Sequence, residues 1–120
     1  MTDEGAAMLE LSYVIRFVAD MAAAVSYHRD VLGMAAAMVS PFWSEFGAAD
    51  VRLALHPATP KWPAGSVQLG FRCEDLNDIY ARRDQLGLHF IAPPSMQHGT
   101  LIATFADGAG NECRLAEKRR

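Results

Sequence analysis

Residues 69–76 read LGFRCEDL, and residues 15–22 nearly spell them already as IRFVADMA. The likeness runs on in both directions. LSYVIRFV at 11–18 leads into Asp20, then a helical pattern, then LGM at 32–34. VQLGFRC at 67–73 leads into Asp75, a second helical pattern, and LGL at 86–88. A nearly constant offset between two such segments marks a duplicated supersecondary unit.

Each copy makes local physical sense. Asp20 and Asp75 are suited to cap a helix, because a carboxylate accepts the orphan amides of a first turn. Met21, Ala24, Val25, His28 and Leu32 then fall on one face, as do, more loosely, Leu76, Ile79, Tyr80, Arg83 and Leu86. Gly33 and Gly87 stop the helices, since glycine takes the left-handed conformation at little cost. Short strands follow at roughly 34–39, 41–47 and 51–56 in the first copy, and at 88–92, 99–105 and 111–117 in the second. DGAG at 107–110 is a turn between strands. PATPKWPAG at 57–65 holds three of the six prolines and reads as a linker. The expectation is an α+β fold of two tandem βαβββ units in one domain over 1–120. The first unit spans about 10–56 and the second about 66–117.

Composition narrows the function classes. A chain of 120 residues, 51% apolar and 21% charged, reads as an ordinary soluble protein with its own core. Its net charge is −3, and the only basic run is KRR at 118–120, too small a footprint for nucleic acid. No window approaches the roughly 18 uninterrupted apolar residues of a membrane span. The N-terminus carries acids where a signal peptide needs a basic start. Cys73 and Cys113 lack metal-site spacing and read as buried thiols in a reducing compartment. The expected location is cytoplasmic.

Four segments together, DMAAAVSYHRDVLGM at 20–34, ALHPA at 54–58, EDLNDIYARRDQLGL at 74–88 and HGTLIATFADGAGNECRLAE at 98–117, resemble the vicinal oxygen chelate superfamily. That group contains glyoxalases, bleomycin-resistance proteins and extradiol dioxygenases. The resemblance covers roughly residues 10–117. It implies curled mixed sheets around a pocket, and a homodimer, since many short members pair. It also implies metal-ligand positions early in the first strand and within the last strand of each unit. Those positions here hold Tyr13, Ala54, Gln68 and Arg114, of which only Gln68 is an ordinary ligand. The family's metal site is therefore expected to be missing, with no cofactor in its place. A rearranged site from His56, His98 and Gln68 is the alternative.

Strand alternation points Gln68, Gly70 and Arg72 away from the second helix, with Tyr13, Ile15 and Phe17 doing the same in the first unit. Ligand-binding candidates are Tyr13, Trp43, Gln68, Arg72, His98 and Arg114. The two arginines suit an acidic or strongly polar ligand, although Arg114 has the alternative of an internal pair with Glu112. Trp43, Phe42 and Phe46 form an aromatic group, read either as core or as a stacking wall. Trp62 covers either a pocket or a dimer seam. Arg16 falls under the first helix, where a charge is out of place, and Glu45 keeps an open role. No nucleophile with an adjacent base and no phosphate loop is present, so no catalytic residue is named. The leading expectation is a metal-independent protein that sequesters a polar or aromatic small molecule, as in the bleomycin-resistance branch. The alternatives are a metal-dependent glyoxalase-like lyase or dioxygenase, and a metal-free isomerase or cyclase using His98 or Tyr13.

Overall fold

The computed structural model of the chain describes residues 8–118. Arg119 and Arg120 of the basic tail and most of the acidic N-terminus lie outside the described residues. Two compact units emerge among these residues, one of residues 12–68 and one of residues 69–118 together with residues 8–11.

The first unit runs β1 (Glu10–Val18), α1 (Met21–Ser26), a π-helical turn (Tyr27–Val31), β2 (Ala36–Met38), β3 (Ser44–Phe46) and β4 (Arg52–Pro57). Its strand order is β2-β3-β4-β1, with β1 and β4 parallel and the other pairs antiparallel. The second runs β5 (Val67–Cys73), α2 (Leu76–Ala81), α3 (Arg83–Leu86), β6 (His89–Gln97), β7 (Thr100–Ala106) and β8 (Glu112–Glu117). Its order, β5-β8-β7-β6, repeats that of the first, with β5 and β8 parallel. The fold is α+β, built as two βαβββ units.

The caps act as the duplicated aspartates require. Asp20 accepts from Ala23 N at 3.0 Å and Asp75 from Asp78 N at 3.1 Å. Gly33 and Gly87 both take the left-handed conformation, at φ 70° and 76°. One detail differs from the expected helical face. The first helix loosens into a π turn, closed by Leu32 N–H to Tyr27 O at 3.1 Å. That wider turn rotates Leu32 off the inner face and leaves it half exposed.

Between helix and sheet, the second unit packs Cys73, Leu76, Ile79, Phe105, Cys113 and Leu115 into one core, with Phe71 and Phe90 against it. The first packs Val25, Phe46 and Leu55, with Val18, Met21, Ala24 and Leu53 beside them. Both cysteines are buried and free, on the helix side of their strands. β6 runs longer than the expected 88–92, carrying bulges on either side of Ala92 that let it pass Pro93 and Pro94 while still pairing β7.

Candidate functional site

The first sheet buries a second apolar cluster on its face away from α1. Ile15, Phe17 and Ala54 form its floor, and Tyr13, Trp43 and Trp62 pack onto it. Register explains the grouping, because Ile15 pairs with Ala54 and Ala54 with Glu45 across three adjacent strands. Side chains two apart on a strand share a face, so Tyr13, Ile15 and Phe17 line up beside Arg52, Ala54 and His56, with Trp43 and Glu45 next to them.

The result is a continuous row of five rings. Tyr13 meets Trp43 edge-on at 5.5 Å, and Trp43 meets His56 edge-on at 6.3 Å. His56 lies 5.1 Å from Phe17, whose other side is stacked by Trp62 at 5.1 Å and 10°. Trp62 reaches this place because the loop before β5 closes against β1, with Gly65 N–H donating to Phe17 O at 2.9 Å. Trp43 is aimed by a tight turn in which Ser40 Oγ accepts from Trp43 N at 3.0 Å and donates to Trp43 O at 2.7 Å.

Glu45 ties the row together. Its Oε2 accepts from the Trp43 indole at 2.7 Å and from the Tyr13 hydroxyl at 3.2 Å, and its Oε1 accepts from Arg52 at 3.1 Å. The carboxylate side chain is only 12% exposed. His56 Nδ1 stands 2.7 Å from Pro57 O. A carbonyl only accepts, so Nδ1 carries the hydrogen and Nε2 is left as an acceptor.

Of the residues expected at the site, Tyr13 and Trp43 are brought together. Gln68 is nearly buried at the start of β5. Arg114 sits in a cross-strand row with Gly70 and Thr104. Arg72 donates to Glu10 at 3.4 Å, and Glu10 also receives Lys118 at 2.9 Å. These cations hold the Glu10 carboxyl below its ordinary value, Lys118 first. His98 occupies the exposed β6–β7 turn with φ 49°. The Trp43, Phe42 and Phe46 group does not stay together: Phe46 is buried on the α1 side, Trp43 lies in the ring row, and Phe42 is exposed. The strand period of two separates Trp43 from Phe46, at odd and even positions, while Phe42, of the same parity as Phe46, lies before β3 begins at Ser44. Arg52 is the residue the sequence did not single out, and Glu45, whose role the sequence leaves open, takes its place as the acceptor of the row. The signal for Glu45 was its alternation with Trp43; nothing local marks Arg52, whose partner is set by β3–β4 register.

The profile of the glyoxalase/bleomycin resistance protein/dioxygenase superfamily matches residues 10–115. The chain belongs to this superfamily. Its fold is similar to that of a hypothetical protein from Bacillus halodurans C-125, at TM-score 0.78 and 11% identity over 95% of this chain and 97% of that one. It is also similar to methylmalonyl-CoA epimerase from Mycobacterium tuberculosis (TM-score 0.75, 17% identity, 92% and 89% covered). A third similar structure is that of NAD-dependent benzaldehyde dehydrogenase from Legionella pneumophila (TM-score 0.71, 17% identity, 89% and 98% covered). At these identities the likeness speaks for the fold. No curated protein matches the chain.

The superfamily includes metal-dependent members, so the residues must be tested against that chemistry. They do not fit. Ala54 is fully buried and offers a methyl group. Arg114 brings a permanent positive charge to another position that the resemblance assigns to a ligand. The carboxylate opposite Ala54 is Glu45, which already accepts three hydrogen bonds. Among the described residues, no three of His, Cys, Asp and Glu gather as a metal shell would need.

Proposed function

We propose that the protein binds a planar aromatic or polar small molecule without a metal, as the bleomycin-resistance branch of its superfamily does. The carrying observation is the row Tyr13, Trp43, His56, Phe17 and Trp62 on the side of the first sheet opposite α1. Such a wall supplies apolar contact and edge-to-face stacking, while a few polar atoms set orientation. His56 Nε2 is one such atom, accepting from a ligand hydroxyl or amine. Gln68, Arg72, His98 and Arg114 remain ligand-binding candidates of the same reading. On it, the protein is a cytosolic homodimer, checked by light scattering on the eluting peak.

The test is quenching of tryptophan emission by a panel of planar phenols and heteroaromatic acids, run with chelator present and again with added Ni, Zn, Mn or Fe(II). Saturable quenching that survives chelator and is lost in Trp43→Ala supports the reading. Binding that needs a stoichiometric metal overturns it.

The Glu45 carboxylate beside the Tyr13 hydroxyl favours one second reading, a metal-free isomerase on the same face. There the pair would move a proton on a bound carbonyl compound. Loss of solvent-deuterium exchange into such a ligand in Glu45→Gln, with affinity kept, separates catalysis from simple binding.

A further inference from the structure

The repeat aligns Asp20 with Asp75, so Arg16 stands where the second unit has Phe71, and Ala24 where it has Ile79. In the second unit that space is filled: Ile79 is buried in the core and Phe71 packs against it, 5.8 Å from the Phe105 ring. In the first, a small methyl and a charged chain replace two large apolar groups. A cleft of about 400 Å3 opens there, between β1, α1 and the loop at 64–65. It opens on the α1 side of the first sheet, and Phe17 of the ring row also lines it.

We propose that this cleft is a second binding site, for a small monocarboxylate with an apolar body. Val18, Ala24 and Leu53 give it apolar walls, and its volume is within the range of small-molecule sites. Arg16 lines it, is exposed, and makes no ion pair or side-chain hydrogen bond among the described residues. A guanidinium so placed pairs a carboxylate through two parallel N–H donors. Asp20 also lines the cleft, and its fixed carboxylate, holding Ala23 N, disfavours a dianion. His28 completes the lining. Its Nδ1 stands 2.7 Å from Ala24 O and so carries the hydrogen, which leaves Nε2 to accept from a hydroxyl or amine on the ligand.

Phenylacetate and its neutral analogue phenylacetamide are the probes, followed by amide chemical shifts of the 15N-labelled full chain. Phenylacetate should move the signals of Val18, Ala19, Ala24, His28, Leu53 and Gly65 in a saturable way. Arg16→Gln, an exposed change that leaves packing intact, should weaken this roughly tenfold or more, the scale of one lost charge-assisted contact. Phenylacetamide should be weaker by a similar factor. Ala24→Ile copies the second unit and should abolish binding while the other signals stay in place. The proposal is overturned by an unmoved set of these signals, by equal affinity in Arg16→Gln, or by shifts confined to Tyr13, Trp43 and His56. Those last residues report the ring row, so the two sites fail or stand separately.

Discussion

The indole Nε1 of Trp43 donates to Glu45 Oε2 at 2.7 Å, from a residue two positions along the same chain segment. The same carboxylate receives Tyr13 from β1 and Arg52 from β4. One acid thus fixes the orientation of two rings in the row. Glu45→Gln keeps an acceptor but loses the Arg52 pair, and should cost about 1 kcal/mol. Glu45→Leu leaves the indole N–H and the phenol without their acceptor and should cost about 2–3 kcal/mol. Urea unfolding reads both, and wild-type stability in the leucine variant would show that the carboxylate holds nothing.

Gly33 and Gly87 end equivalent helices with equivalent backbone angles. A Cβ at either place meets no heavy atom within 4 Å, so alanine there pays for backbone conformation alone. Each alanine variant should lose about 1–2 kcal/mol, with asparagine costing less. Matching losses in thermal melts would confirm that the two caps do the same job; a neutral Gly33→Ala would contradict it.

Burial, aided by the nearby Glu117 carboxylate, pushes the Cys73 thiol up to about 11. Cys113 is raised in the same direction, also by burial first. At mildly alkaline pH both stay protonated and covered, so a disulfide reagent should label neither in the native protein and both in urea. Rapid native labelling would place a thiol outside the core.

The Asp107 carboxyl is held below its ordinary 3.8, chiefly by the Asn111 backbone N–H and then by the Asn111 side chain and Ala109 N–H. A carboxyl lowered on folding stabilises the folded state above its ordinary value, and that contribution disappears as pH falls through the lowered one. The melting temperature of Asp107→Asn should therefore trail wild type most near neutral pH. The gap should close in acid below 3.8. A pH-independent gap would assign the effect to turn shape rather than to charge.

Much of the architecture was legible because it rests on short-range chemistry stated twice. Aspartate caps, glycine stops and strand alternation act within a few residues, and the duplication let each copy check the other. Alternation also placed Cys73 under the helix and Tyr13 on the opposite face. The π turn was not legible, since a helix widening by one residue leaves no mark on apolar spacing. Nor was the parting of Phe42 from Phe46, which needs the strand to start at Ser44 rather than three residues earlier.

The sequence alone settled that two βαβββ units would form, that each helical stretch begins after an aspartate and ends at a glycine, and which strand faces are apolar. Those facts follow from propensity, capping and period, all local. Only the tertiary structure decided that Glu45 gathers Trp43, Tyr13 and Arg52, and that Trp62 leaves the linker to stack on Phe17. It alone showed the cleft beside Arg16. Cross-strand register and loop closure bring together residues far apart in the chain, and whether a space is filled depends on side-chain volumes from several elements at once.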